Sequence, residues 1–93
     1  MEDVRVILGN RVRELRKVKK YSQEGLALRA GLDRTYIASI ESGNRNVSIL
    51  NIERIATALG ASLAEFFDIA DFTRMPTEAY FMKVAERHTR RYH

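Results

Sequence analysis

Residues 23–42 read QEGLALRAGLDRTYIASIES, and the spacing of small, apolar and capping residues in that stretch decides the fold. Two short helices meeting at a steep angle need a small residue where their backbones approach, and Ala27 supplies it. Four residues later the tight turn needs a residue that tolerates positive φ, and Gly31 supplies that. Leu26, Ala30 and Leu32 before the corner, and Ile37 and Ile40 after it, fall at the spacing that points each inward. Ser22 is placed to cap a helix over about 23–30 by accepting an orphan N–H, and Asp33 to cap another over about 34–41. Ser42-Gly43-Asn44 ends the second of these with turn chemistry.

Working outward, an earlier helix over about 4–19 carries the stripe Leu8, Val12 and Leu15, with Arg5, Arg11, Arg13, Lys17, Lys19 and Lys20 around it and Tyr21 closing the turn. Downstream, Ser48 caps a fourth helix to about Leu59 whose apolar stripe is Ile49, Ile52, Ile55, Ala56 and Leu59, and Gly60 stops it. Ser62 caps a short fifth helix holding Leu63, Phe66 and Phe67. The pattern weakens after Asp68. Pro76 breaks the chain, and Thr77 caps a last helix to about Arg90 with Tyr80, Phe81, Val84 and Ala85 on one side and Arg87, Arg90 and Arg91 at its basic end. No segment alternates as a half-buried strand would. The expectation is an all-α fold: a five-helix domain over 1–68 and an extension over 69–93, helical from about 77.

Composition narrows the chemistry. The 93 residues contain no cysteine, which excludes disulfides, thiol catalysis and a cysteine-type zinc site. His88 and His93 are the only histidines, and they form neither a facing metal pair nor a nucleophile's partner. Glycine-rich phosphate loops are missing. The reading is therefore not an enzyme, with no metal and no cofactor. No signal peptide or membrane span is visible, so a cytoplasmic protein is expected. Net charge is +4, and all of the excess falls in residues 1–46, because residues 47–93 carry six basic and six acidic side chains. A localised basic surface suits a polyanion, since Lys and Arg that meet phosphates release condensed counterions.

An αα-corner also occurs inside bundles that bind nothing. The outward face of the third helix separates the two readings: it shows Arg34, Thr35, Tyr36 and Ser39 and few acids. Arginine can bond guanine bidentately, threonine can meet a thymine methyl, and serine bonds base edges either way. An ordinary exposed helix more often mixes Glu and Lys.

Residues 6–67 resemble the DNA-binding domain of phage repressors and Cro proteins, the XRE-type helix-turn-helix family with its lambda-repressor-like fold. The resemblance rests on Arg13-Glu14-Leu15-Arg16, Ser22-Gln23-Glu24, Ala30-Gly31-Leu32-Asp33-Arg34-Thr35-Tyr36-Ile37, Glu41-Ser42-Gly43-Asn44-Arg45-Asn46 and Ile55-Ala56-Thr57-Ala58-Leu59-Gly60. Leu32 to Ile37, with Arg45-Asn46-Val47-Ser48, is similar to the controller proteins of restriction–modification systems. The resemblance implies a transcription regulator that binds double-stranded DNA as a homodimer on a palindrome-like operator, with RNA polymerase as a further partner. It places Arg34, Thr35 and Ser39 at base-reading positions, and Gln23, Tyr36, Asn44, Arg45 and Asn46 on the DNA backbone. It makes Arg16 and Glu41 a structural ion pair. Leu63, Phe66 and Phe67 are the candidate dimer surface, with completion of the monomer core as their other reading. Gly25 departs from the family's pattern, standing where a good helix former is usual. The alternative function is an antitoxin or adaptor whose tail, through Phe72, Tyr80, Phe81 and Val84, grips a protein partner.

Overall fold

A computed structural model of the chain describes residues 3–73 and 78–91. Its elements are α1 (Val4–Val18), α2 (Gln23–Ala30), α3 (Arg34–Glu41), α4 (Ile49–Ala58), α5 (Leu63–Phe66), α6 (Ala70–Thr73) and α7 (Glu78–Arg91). Among the described residues there is no strand. Each of the first five helices starts on a side-chain cap: Asp3 accepts from the Arg5 N–H, Ser22 from Gly25, Asp33 from Thr35, Ser48 from Asn51 and Ser62 from Glu65. At α5 the Glu65 carboxylate also accepts the Ser62 N–H, which completes a capping box.

Four helices end alike. The N–H of the left-handed residue that closes each one reaches back three residues, and the N–H of the residue after it reaches back five. Tyr21 bonds Arg16 and Lys20 bonds Lys17 after α1; Leu32 bonds Ala27 and Gly31 bonds Leu28 after α2. Asn44 bonds Ser39 and Gly43 bonds Ile40 after α3; Ala61 bonds Ala56 and Gly60 bonds Thr57 after α4. This ending needs one left-handed residue. Glycine provides it three times, and Lys20, at φ 61°, provides it without glycine's freedom.

The core gathers Val12, Leu26, Ile37, Ile40, Ile55 and Phe66, each no more than 2 % exposed, where α3 packs on α1 and α2, and α2 on α4. Leu8 and Leu15 pack against its edge. The backbones of α1 and α3 approach closely at Gly9, which the apolar stripe does not mark: a Cβ there would lie 2.2 Å from the Ile40 carbonyl oxygen. Ile49 does not join the buried stripe of α4, being 59 % exposed, with Leu50 exposed beside it. A helical period identifies a face, but burial also requires a neighbour over it, and on the first turn of α4 that cover reaches Ile52 and stops short of Ile49.

Arg11 ties α1 to the end of α5: its Nε donates to the Phe66 carbonyl (2.9 Å) and its Nη2 to the Glu65 carbonyl (2.6 Å). Past that tie, Phe67 stacks edge-on against Phe66 at 5.2 Å and meets Phe72 of α6 at 6.4 Å. The one-turn α6 is not foreshadowed by the sequence pattern, and Phe72 is half-buried there. In α7, Phe81, Met82 and Val84 are exposed. Pro76 and Thr77, the expected break and cap, and His93 lie outside the described residues, as do the side chains of Tyr80, Arg90 and Arg91. No helix among the described residues is long and apolar enough to cross a membrane.

Candidate nucleic-acid interface

The corner expected from the sequence is present. Leu26 and Ala27 are buried, Gly31 closes α2 at φ 68°, and Asp33 opens α3. Ile37 and Ile40 hold one side of α3 in the core. The opposite side therefore faces out, and Arg34 and Thr35 stand exposed on its first turn.

Beneath that turn lies a charged lock. Glu41, the last residue of α3, has a fully buried side chain. Arg16 grips it with two parallel bonds, Nε to Oε2 at 2.6 Å and Nη2 to Oε1 at 2.9 Å. The same guanidinium donates Nη1 to the Tyr21 carbonyl at 2.9 Å. Arg13 adds a contact at 3.5 Å to the carboxylate and bonds the Glu41 backbone carbonyl at 3.1 Å, which satisfies an orphan acceptor at the helix end. Burial alone would push the Glu41 carboxyl up. The hydrogen bonds from Arg16 and Gln23, with the charges of Arg16 and Arg13, outweigh it and hold the group below its ordinary value. The Arg16 guanidinium is raised in turn, chiefly by its hydrogen bonds to Glu41. A paired, hydrogen-bonded charge of this kind is strongly destabilising only when one partner is removed.

The remaining candidates divide. Gln23 is half-buried and turned inward, its Nε2 donating to Glu41 Oε1 at 3.2 Å. Ser39 is half-buried: its hydroxyl donates to the Tyr36 carbonyl at 2.7 Å and accepts from Arg45 Nε at 3.1 Å. Tyr36 packs against the core edge, and its hydroxyl accepts from Asn51 Nδ2 at 3.1 Å. Arg45 folds back over the Tyr36 ring, 5.0 Å from its centroid. Asn44 bonds the Ser42 hydroxyl, and Asn44, Arg45 and Asn46 are all exposed along the loop after α3. Asn51 was not among the sequence candidates, and only its place one turn into α4 could have suggested it.

Gly25 has a local explanation. A Cβ there would sit 3.2 Å from the Ser22 hydroxyl that caps α2, and 3.6 Å from Arg29, whose guanidinium lies 4.0 Å over the Tyr21 ring. On α5, Phe66 is 1 % exposed within the single chain. It belongs to the core and leaves the candidate dimer surface, because a side chain already sealed from water has no area left to bury on association. Leu63 (37 % exposed) and the half-buried Phe67 remain.

Residues 12–66 match the profile of the helix-turn-helix family. The chain belongs to the helix-turn-helix family. Among its relatives in that family, control protein C.MunI of Mycoplasma sp is 48 % identical over 68 residues, covering 72 % of this chain and 92 % of that protein. The crystal structure of the restriction–modification controller protein C.AhdI from Aeromonas hydrophila superposes with a TM-score of 0.67 at 50 % identity, over 69 % of this chain and 97 % of that one. A second similar structure is that of the restriction–modification controller protein C.Esp1396I, a tetramer in complex with its natural 35 base-pair operator (TM-score 0.68, 34 % identity, 73 % of this chain and 90 % of that one).

Proposed function

We propose that this chain is a sequence-specific DNA-binding transcription regulator that binds a palindrome-like operator as a dimer and controls a restriction–modification operon together with its own gene. The observation that supports it most is the exposed first turn of α3, bearing Arg34 and Thr35 on a helix whose other side is fixed in the core. The operator-bound relative shares the fold over 73 % of this chain. In a symmetric dimer the two copies of α3 would enter successive major grooves about 34 Å apart. Arg34, Thr35 and Ser39 read base edges. Asn44, Asn46, the start of α2 at Gln23 and Arg45, which the Ser39 hydroxyl holds, meet phosphates, which set register and affinity. Leu63 and Phe67 of α5 supply the dimer contact. The protein acts in the cytoplasm, as a regulator rather than an enzyme.

The test is selection of duplexes from a randomised library, followed by binding in the presence of random competitor. A preferred inverted repeat supports the reading; equal binding to every duplex at low salt refutes it. On the selected duplex, Arg34→Ala should cost about 1–3 kcal/mol and flatten discrimination at one base pair. Arg45→Ala should weaken binding to all sequences and shallow the salt dependence by about one unit of slope.

The exposed Phe81, Met82 and Val84 favour a second, compatible role for α7, that of an antitoxin or adaptor tail gripping a protein partner. Loss of partner binding in Phe81→Glu, with duplex affinity kept, is the result that supports it.

A further inference from the structure

The Gln23 side chain has two unlike ends, an NH2 that only donates and a carbonyl that only accepts. Glutamine alone does not decide which end faces inward. Its inward neighbour here does. The ionised Glu41 carboxylate is acceptor-only and fully shielded from solvent, with Arg16 on both oxygens and the Gln23 Nε2 on Oε1 at 3.2 Å. A carbonyl turned inward would set an acceptor against a buried acceptor, an arrangement that costs the full desolvation of both. The NH2 is therefore directed in and Oε1 directed out. Outside, Oε1 lies 3.5 Å from Arg34 Nη1, at the long end of hydrogen bonding but with the attractive sign. It is the only side-chain hydrogen bond of Arg34 among the described residues.

We propose that Glu41 is a positioning residue for sequence readout: through the Gln23 amide it holds the Arg34 guanidinium at the entrance of α3. The inference rests on Arg34 being a base-reading residue. The path leaves the last residue of α3, crosses to the first residue of α2, and returns to the first residue of α3. The lock that fastens α1 to α3 thus also sets the aim of the reading arginine. A long, exposed arginine samples many rotamers, and each one restrained before contact is one that binding does not have to freeze. The guanidinium's planar fork makes that aim matter more than it would for a lysine.

The test uses the full chain, the duplex that the wild type selects from a randomised library, and single-base-pair variants of that duplex. Arg34→Ala locates the base pair concerned. Gln23→Leu keeps the side chain's bulk and leaves the Arg16–Glu41 pair in place. It should lower discrimination at that same base pair by roughly threefold to tenfold, and should have no such effect once Arg34 is already alanine. Glu41→Gln should lose discrimination at the same position. Should Glu41→Gln fail to fold, Gln23→Leu carries the test alone. A uniform loss of affinity with unchanged discrimination at that base pair overturns the proposal, because it is what a phosphate contact or a purely structural glutamine would give. So does a Gln23→Leu effect on discrimination that persists in the Arg34→Ala background. A second readout needs no DNA: nitrogen-15 relaxation of the Arg34 Nε should show a more mobile guanidinium in Gln23→Leu than in wild type, and unchanged mobility overturns the positioning. Greater mobility together with no sequence preference in the wild type would instead remove the DNA-reading function, and the role in readout with it.

Discussion

Alanine in place of Gly9 tests how closely α1 and α3 cross. The added Cβ would stand 2.2 Å from the Ile40 carbonyl oxygen and 3.0 Å from that of Glu41. Carbon and oxygen rest about 3.3 Å apart, so the helices must separate by about 1 Å. Both obstructing atoms are backbone, and neither can rotate away. Overpacking of that kind lies at the upper end of its usual range, about 3 kcal/mol. Alanine's better helix propensity returns about 1 kcal/mol. The net loss is about 2 kcal/mol, which in a domain of this size lowers the melting temperature by about 8–16 °C. Part of the loss comes through the lock, since Glu41 moves with α3 and its 2.6 Å bond to Arg16 spans the same crossing. Gly25→Ala is the internal control. It makes the same chemical change in α2, but its nearest obstacles are the Ser22 hydroxyl and the end of Arg29, so its effect should fall between no change and a gain of about 1 kcal/mol. Urea melts followed by circular dichroism read both. A Gly9→Ala chain as stable as wild type would refute the close crossing.

Lys20→Gly should stabilise the fold by about 0.5–1 kcal/mol, because Lys20 holds a left-handed conformation that glycine adopts without strain; no gain in the melting midpoint would argue against strain at that turn. Acid should destabilise the protein. Glu41 and Glu65 have folded values below the ordinary 4.5, and Asp3, bonded by the Arg5 side chain, is held at about 2. A lowered folded value stabilises above the unfolded value and is lost as pH falls through the folded one. Melting temperature should therefore decline below about pH 4.5, more shallowly in Glu41→Gln, and a midpoint flat across that window would contradict the assignment. Leu63→Glu should leave the fold intact and halve the mass in sedimentation, whereas Phe66→Ala should cost about 3–5 kcal/mol by unfolding the single chain. An unaltered mass in Leu63→Glu would remove α5 from the dimer contact.

What the sequence made legible was local. Ser22, Asp33, Ser48 and Ser62 announce helix starts, and Gly31, Gly43 and Gly60 announce ends, because each acts on N–H and carbonyl groups within a few residues of itself. The corner and its inward residues followed from spacing alone. The pairing of Arg16 with Glu41 came from family resemblance, since nothing local joins residues 25 positions apart. What stayed hidden depends on which helices meet. Gly9 reads as an indifferent glycine until α3 is laid across it. Ile49 reads as core until the cover over α4 is seen to stop short of it. Phe66 and Phe67 look equivalent in sequence, yet one is sealed and the other stands at the rim. Among the site residues, exposure of Arg34 and Thr35 was legible from the face of α3, but the inward turn of Gln23 and the engagement of Ser39 by Arg45 were not. Those depend on a buried carboxylate and on a loop's path.

Three of the four arginines of α1 show where its basic character is spent. Arg11, Arg13 and Arg16 direct their guanidinium groups at backbone carbonyls, at the internal Glu41 carboxylate and, for Arg11, also at the exposed Glu14. Exchanging them for lysine would leave the formal charge of +4 untouched. It would nonetheless replace forks that clasp two acceptors at once with single points that clasp one. A charge count at pH 7 would not tell the two proteins apart, while the lysine version would come apart at its seams.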